Sequence, residues 1–396
     1  MEADAFPTTD ESVEEIAPAE LKRRIDDGED VTILDTRATG EFEEWHIDGD
    51  TVDVVNVPYF EFIDDVDEDL LSEVPRGDPL VVLCAKGGAS EYVAGVLQQD
   101  GRDVAHLESG MNGWASVYEA VEVERYDGPG TVIQYQRPSS GCLGYMVVDG
   151  GEAAVVDPLQ AFTDRYLDDA AEMGAELTYA FDTHIHADHI SGVRALDEEG
   201  VTGVIPEASV ERGVTYADDV ETAADGDVFE VGDAEVETVF TPGHTSGMTS
   251  YLVGDSLLTT GDGLFIESVA RPDLEEGDAG APDAARQLYE SLQERVLRLD
   301  DDVLVGGAHF SDAAVPAEDG TYTASIGELV ATMDALSVDE DEFVDLVLAD
   351  MPPRPANYED IIATNLGQRD TDEEEAFTLE LGPNNCAASQ ESMAND

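Results

Sequence analysis

Five of the seven histidines in this 396-residue chain recur at a spacing that suits metal binding. With two aspartates they form one set: His184, His186, Asp188, His189, His244, Asp262 and His309. Imidazole and carboxylate groups are the usual ligands of zinc and ferrous iron. Because the histidines concentrate in this set, the sequence predicts a metal centre rather than separate histidines that are hydrogen-bonded in the core.

The first four members of this set lie in one short segment. His184 and His186 are two residues apart, so in an extended loop both side chains can turn toward one point. Asp188 and His189 are expected at a helix start, from which they would reach a neighbouring point. The remaining members must be brought in by folding.

A second reactive pattern surrounds Cys84, in the segment from Cys84 to Ser90. A glycine-rich loop between a strand and a helix can aim backbone N–H groups at its centre, and the helix N-terminus adds positive potential. Lys86 adds a formal charge, and Gly87 and Gly88 supply the turn. Together these groups would stabilise a thiolate or a persulfide anion on Cys84. The alternative is a catalytically silent loop.

Buried strands must position both sites. Apolar runs at 31–36 and 80–83 are typical of such strands, and a helical stretch at about 90–99 follows Cys84. Helix-length segments between short strands indicate a parallel α/β sheet. Further strands are predicted at 132–135, 145–148, 153–156, 177–182, 250–253 and 256–260. Two of these deliver His184 and Asp262, so the predicted ligands lie on loops held by rigid sheets.

The chain after His309 is predicted to be mostly helical. Helices are expected at 326–336, at 341–348 and near 358–364, whereas the stretch from about 370 is acidic and polar and is expected to be a loose tail. The predicted organisation is a first domain at 12–122, a second domain at 130–315, a helical extension at 316–369 and an acidic tail at 370–396.

The histidine array resembles the metallo-β-lactamase superfamily, whose signature is H-x-H-x-D-H followed by a distant His, Asp and His. All elements follow in this order over roughly 130–310. The resemblance implies an αββα sandwich with the metal at one edge of the sheets. Because this superfamily holds several activities, the fold does not settle the reaction.

Two interpretations of the centre remain open. One is a thioester hydrolase of the glyoxalase II type with two zinc ions. The other is a persulfide dioxygenase with one ferrous iron, which the segments 183–192, 261–265 and 270–273 resemble more closely. Every ligand of a dinuclear hydrolase is also present, so the sequence does not exclude a second metal ion.

The persulfide dioxygenase resemblance implies His184, His244 and Asp262 as the iron ligands. Two histidines and one carboxylate form a facial triad with open positions for oxygen and substrate. His186, Asp188, His189 and His309 would then surround the ligands or hold a second metal. Arg271 is predicted either to bind a substrate carboxylate through its planar fork or to form a structural ion pair.

The segment around Cys84 resembles the active loop of rhodaneses. Further rhodanese-like segments at 34–37, 41–49 and 107–114 extend the resemblance over about 12–122. Many rhodaneses carry arginine where Ala89 stands, which puts thiosulfate as the sulfur donor in doubt. Cys142 is expected to be a small buried residue rather than a reactive one.

Charge defines the environment. The chain has 92 acidic and 18 basic residues, a formal net charge of −74. Such a charge repels itself in dilute buffer, but molar salt shrinks the Debye length to roughly 3 Å. The composition therefore predicts a halophilic protein from a high-salt cytoplasm. It argues against nucleic acid as a partner, because phosphate contacts need basic patches.

Other features also favour a cytoplasmic protein. The sequence has no apolar run of about 18 residues, so no membrane span is expected. The acidic start lacks the regions of a signal peptide. Three widely spaced cysteines, Cys84, Cys142 and Cys386, form no disulfide framework and fit a reducing compartment. The sequence is compatible with a homo-oligomer and does not indicate the number of subunits.

Both resemblances concern sulfane sulfur. The predicted protein is an iron-dependent persulfide dioxygenase that uses O2 to oxidise a low-molecular-weight thiol persulfide to sulfite, with a rhodanese domain for sulfur transfer. The main alternative is thioester hydrolysis at a dinuclear zinc centre. A sulfur carrier or sensor with a structural metal is the other alternative, but structural zinc sites are closed by four protein ligands.

Overall fold

The computed structural model describes residues 12–63, 66–311, 313–349, 351–382, 386–388 and 393. The chain divides into two compact units, one mainly of residues up to Tyr118 and one mainly from Glu119 onward, with Arg137–Ser140 grouped with the first. Residues 119–122 pair with a strand of the second unit. The boundary between the two units therefore lies before residue 119, whereas the predicted first domain extended to residue 122.

A parallel sheet forms the centre of the first unit. Its strands are β1 (Glu14–Ile16), β2 (Val31–Asp35), β3 (Val52–Asn56), β4 (Leu80–Leu83) and β5 (Val104–Leu107). Its helices are α1 (Pro18–Asp26), α2 (Thr39–Glu44), α3 (Glu68–Glu73), α4 (Gly88–Gln99) and α5 (Gly110–Ala115). The strand order is β1-β5-β4-β2-β3, and its pairs are parallel. Separate apolar clusters cover the two faces, which is how parallel sheets are buried.

The second unit contains two sheets. The first consists of β6 (Glu119–Glu122), β7 (Thr131–Arg137), β8 (Cys142–Asp149), β9 (Glu152–Val156), β10 (Glu176–Phe181), β11 (Thr202–Pro206) and β12 (Glu221–Ala223). The second consists of β13 (Val228–Val231), β14 (Ala234–Phe240), β15 (Thr249–Val253), β16 (Leu257–Gly261), β17 (Leu304–Gly307) and β18 (Ala324–Ser325). In each sheet the neighbours follow chain order. A two-residue hairpin joins β8 and β9, and Gly150 and Gly151 supply the positive φ angles that it requires.

The two sheets face each other across one apolar core. Tyr145, Val156 and Phe181 from the first sheet share this cluster with Tyr251 and Leu257 from the second. A larger cluster covers the other face of the second sheet, where α8 and α10 pack. Helices α6 and α7 pack against β9, β10 and β11 of the first sheet. The sandwich and its helical layers confirm the predicted fold class.

The helices of this unit are α6 (Thr163–Glu172), α7 (Val193–Glu198), α8 (Gly277–Glu294), α9 (Ile326–Thr332), α10 (Glu340–Ala349), α11 (Tyr358–Asn365) and α12 (Glu373–Leu379). Helix α9 begins with a capping box between Ser325 and Glu328, but it ends at Thr332 rather than at 336. In the described part of the chain, no helix is long and apolar enough to cross a membrane.

The expectation of a loose tail after 370 is wrong for the residues that the structure describes there. Helix α12 forms, and Ala376, Glu380, Cys386 and Ala388 are buried. Ala388 donates its N–H to the Val269 carbonyl. These apolar and hydrogen-bonding contacts outweigh the acidity that suggested a loose tail.

Candidate functional site

The predicted metal ligands lie on loops that leave the strands of the second unit. His184 follows β10, Asp262 follows β16 directly, and His309 follows β17. His244 lies in the loop between β14 and β15. Because these strand ends meet at one edge of the sandwich, distant parts of the sequence are brought together there.

Three of these residues form a group that can hold one ion. The Nε2 atom of His184 lies 3.6 Å from Oδ2 of Asp262, and Nε2 of His244 lies 3.4 Å from the same oxygen. Ligands bound at about 2.0–2.2 Å to one ion lie roughly 3.0–3.6 Å apart. The spacing of His184, His244 and Asp262 therefore fits a shared metal ion.

The hydrogen bonds of these residues support the same assignment. Nε2 of His184, Nε2 of His244 and both carboxylate oxygens of Asp262 are buried without a hydrogen-bond partner. The other ring nitrogens are held: Nδ1 of His244 donates to the Arg271 carbonyl at 2.9 Å, and Nδ1 of His184 lies 2.9 Å from Thr183 Oγ1. Buried polar atoms are costly unless paired, and ligating histidines are oriented through their other nitrogen. These residues fit a bound metal.

The protonation states of His184, His244 and Asp262 also suit metal binding. Burial lowers the pKa of His184 to about 3 and lowers the pKa of His244, so both imidazoles are neutral at ordinary pH. Burial alone would raise the pKa of Asp262, but His309 and His184 hold it well below its usual range. Two neutral nitrogens and one carboxylate therefore face the same point.

A second group lies beside the first. Oδ2 of Asp188 is 2.7 Å from His309 Nε2 and 3.1 Å from His189 Nδ1, and it accepts the Cys142 thiol at 3.4 Å. His309 Nδ1 lies 2.6 Å from Asp262 Oδ1. The buried side chains of Cys142, Asp188, His189 and His309 can hold an ion. In this structure Oδ2 of Asp188 contacts the other three side chains directly. The geometry thus connects this group to the triad and keeps the dinuclear alternative open.

His186 lies outside both groups. Its Nε2 atom faces two carboxylates, at 3.2 Å from Asp157 Oδ1 and 3.6 Å from Asp182 Oδ1. All three residues are at most 2% exposed. Burial opposes protonation of His186, but Asp157 raises its pKa to about 9. The two histidines of the H-x-H pair therefore point to different partners.

The loop that carries these histidines is held by the C-terminal helices. Asp188 and His189 were expected at a helix start, but α7 begins only at Val193 and the segment before it is irregular. Asn365 at the end of α11 donates to the carbonyls of His186 and His189 at 3.0 and 2.8 Å. Side-chain hydrogen bonds replace the helix that the sequence suggested.

Arg271 makes the contacts of a structural ion pair. It is 1% exposed, and its Nε lies 2.8 Å from Asp273 Oδ1 while Nη1 donates to the Pro353 carbonyl at 2.9 Å. Its backbone carbonyl accepts from the ligand His244. Of the two roles that the sequence left open, this environment matches the structural one.

Replacing Arg271 with alanine is expected to destabilise the second unit by about 3–5 kcal/mol, because it leaves the mostly buried Asp273 without its main partner. Denaturant unfolding in high salt would measure the change. Arg354 is the matched control, since it pairs with the same carboxylate at 2.9 Å but is 33% exposed. Its alanine variant should lose less than about 1 kcal/mol. Unchanged stability with a raised KM would instead assign Arg271 to substrate binding.

The first unit places Cys84 directly after β4 and before α4. The Gly87 N–H donates to the Cys84 sulfur at 3.1 Å, and Gly87 adopts a φ of +92° that favours glycine. The Ser90 hydroxyl donates to the Gly87 carbonyl at 2.9 Å. A side chain at Gly110 would collide with the Cys84 carbonyl oxygen. The loop thus holds the thiol just before the N-terminus of α4, with the Gly87 N–H as a donor to its sulfur.

Four residues near the metal centre were not predicted as site residues. They are Cys142, Asp157, Asp182 and Cys386. Asp157 follows strand β9 in the way that Asp262 follows β16, but an aspartate after a strand is a weak signal in a chain with 92 acidic residues. Cys386 lies beside Asp262 and His309, and no local pattern marks it. All three cysteines are reduced and buried.

Comparisons with known proteins cover both units. The metallo-beta-lactamase superfamily model matches residues 139–309, and the rhodanese-like domain model matches residues 17–117. The chain is 30% identical to the human mitochondrial persulfide dioxygenase ETHE1 over 227 residues, which cover 54% of this chain and 85% of the relative. Both resemblances found in the sequence are confirmed.

Hydrolases and solved structures also match. A hydroxyacylglutathione hydrolase from a Synechococcus species is 38% identical over 150 residues, 37% of this chain and 58% of the hydrolase. The crystal structure of a metallo-beta-lactamase from Staphylococcus aureus has a TM-score of 0.56 at 24% identity, covering 61% of this chain and 74% of that one. This last likeness shows the shared fold.

Proposed function

We propose that this chain, which belongs to the persulfide dioxygenase family of the metallo-β-lactamase superfamily and carries a rhodanese-like domain, oxidises a low-molecular-weight thiol persulfide at one ferrous iron. The observation that carries the proposal is the triad of His184, His244 and Asp262, in which Nε2 of each histidine and Oδ2 of the aspartate are buried without a hydrogen-bond partner. Two histidines and one carboxylate leave open positions for two reactants.

The reaction balances with water as the third reactant. A persulfide R–S–SH, one O2 and one water give the thiol R–SH and sulfite with its protons. When bound, ferrous iron would supply charge stabilisation and bring both reactants together. The chain's own residues hold this arrangement, because Thr183 and the Arg271 carbonyl fix the two imidazoles and the buried walls exclude bulk water.

The metal content tests this proposal. Protein purified without oxygen is expected to hold about one iron per chain, because the triad offers one set of three ligands. Two zinc ions per chain, with hydrolysis of thioesters, would favour the hydrolase instead. That alternative has support from the second group around Asp188 and from the hydrolase relative.

We also propose that Cys84 carries sulfane sulfur for this chemistry. A thiolate or persulfide on Cys84 would meet the Gly87 N–H and the N-terminus of α4. The small Ala89 stands where many rhodaneses have arginine, so the donor is expected to be a persulfide rather than thiosulfate.

Replacing Cys84 with serine should abolish sulfur loading of the first unit. Wild-type protein incubated with a persulfide donor should gain the mass of one sulfur atom on the peptide that contains Cys84. The variant should still consume oxygen with a pre-made small-molecule persulfide at a rate within about twofold of wild type, since the metal ligands lie elsewhere. Cys142→Ser is the matched control for loading. A folded, iron-loaded Cys84→Ser protein without oxygen consumption would show that Cys84 itself presents the substrate.

A further inference from the structure

We propose that the turn at Ser109 and Gly110 positions the Cys84 loop, so that backbone N–H groups of this loop face the sulfur atom that Cys84 carries. The inference rests on the proposed role of Cys84 as a sulfur carrier, and it names Gly110 as the positioning residue. It involves no group of the metal centre.

Two hydrogen bonds carry the first step. Met111 donates its N–H to the Cys84 carbonyl at 2.8 Å, and Asn112 donates its N–H to the Ala85 carbonyl at 3.0 Å. Both donors lie in the first turn of α5, where backbone N–H groups have no partner within the helix. Two consecutive carbonyls of the loop are therefore held on the side of α5.

The planarity of the peptide bond carries the second step. In a trans peptide, as in this loop, the C=O and the N–H point in opposite directions. Because the Cys84 and Ala85 carbonyls point to α5, the N–H groups of Ala85 and Lys86 point away from it. The Gly87 N–H already meets the Cys84 sulfur at 3.1 Å. Successive N–H groups of this kind form a concave site that stabilises an anion, here a thiolate or persulfide on Cys84.

The close approach of α5 depends on Gly110. Its φ is +59°, and a Cβ atom at this position would overlap the Cys84 carbonyl oxygen and lie 3.0 Å from the Gly87 nitrogen. Ser109 also has a left-handed φ, of +57°, which is uncommon for a residue other than glycine. Such strained backbone often occurs at functional sites. The strained turn thus brings the start of α5 directly against the cysteine loop.

Sulfur loading of Cys84 tests this arrangement, with cysteine persulfide as the donor. The Cys84 sulfur attacks the outer sulfur of the donor, the S–S bond of the donor breaks, and the Cys84 proton ends on the released cysteine. The full chain would be equilibrated without oxygen at fixed ratios of persulfide to cysteine, and the peptide that contains Cys84 would be analysed by mass spectrometry. In Gly110→Ala the equilibrium constant for loading should fall about tenfold or more, the effect of losing one hydrogen bond to a charged group.

Two control variants separate positioning from stability. Gly28→Ala introduces the same side chain at a φ of +71°, but no atom lies within 4 Å of the new Cβ. It has the left-handed strain without the collision, so it should load within about twofold of wild type. Ser109→Gly relieves the strained turn and adds no atom, so it should load equally well. If Gly110→Ala does not fold, Asn112→Pro removes the N–H that binds the Ala85 carbonyl, in a first turn where proline is tolerated, and should also lower loading.

The outcomes separate this inference from the role of Cys84 on which it rests. Wild-type protein that takes up no sulfur on Cys84 would contradict the sulfur carrier itself. Wild-type loading, with equal loading of folded Gly110→Ala or Asn112→Pro, would overturn the positioning role while the carrier stands. An equal loss in Gly28→Ala would also overturn it, since the loss would then follow from general destabilisation.

Discussion

Replacing His244 with alanine is expected to remove the metal and to lower oxygen consumption by more than about 100-fold. Residues that only orient a ligand typically contribute 10–100-fold to affinity or activity, so the loss of one of three ligands should exceed about that range. His244 is buried, and its Nδ1 is already committed to the Arg271 carbonyl. No described side chain in the triad group replaces its Nε2.

Iron analysis and an oxygen electrode would measure this effect on the same preparation. His46→Ala is the matched control, because it removes an imidazole from the first unit that bonds only to the Phe42 carbonyl among the hydrogen bonds described there. It should keep both metal and activity. A folded His244→Ala protein that retains iron and consumes oxygen would show that the triad is misassigned.

Transfer from molar salt to dilute buffer should destabilise the whole chain. The chain has 92 acidic and 18 basic residues, so its carboxylates repel one another with few cations to offset them. At 0.1 M salt the Debye length is about 10 Å, whereas at 1 M it is about 3 Å, so repulsion between neighbouring carboxylates is screened only at high salt. We expect the melting temperature to fall by more than about 10 °C. For units of this size, such a fall corresponds to a loss of several kcal/mol in the free energy of unfolding.

Thermal unfolding in several molar KCl and in about 0.1 M KCl would test this screening. Sucrose at matched osmotic strength is the control, because it favours compact states without screening charge. Sucrose should restore little of the lost stability. Equal melting temperatures at both salt concentrations would contradict the proposed adaptation to salt.

Strand-end positions explain how much of the site could be predicted. His184 and Asp262 follow apolar strands that the sequence marks clearly, so their convergence follows from sheet topology. Asp157 and Asp182 occupy equivalent positions, but single aspartates carry little signal in a chain with 92 acidic residues. Their closeness to His186 became visible only in the structure.

Long-range contacts account for the parts of the fold that the sequence did not reveal. Helix α8 begins with Gly277 and contains Pro282, which weaken its helical pattern, and it is stabilised by packing against the second sheet. Asn365 supports the histidine loop from 176 or more residues away in sequence. Such contacts depend on tertiary structure and leave no local pattern.

The central claim is tested most directly by measuring oxygen uptake and sulfite release together. Iron-loaded protein in high salt, given a small-molecule thiol persulfide, should consume about one O2 for each sulfite formed, as the balanced reaction requires. The zinc-loaded protein is the control and should consume none, because zinc has no redox chemistry. An iron-loaded protein that takes up no oxygen, while the zinc-loaded form hydrolyses thioesters, would contradict the account.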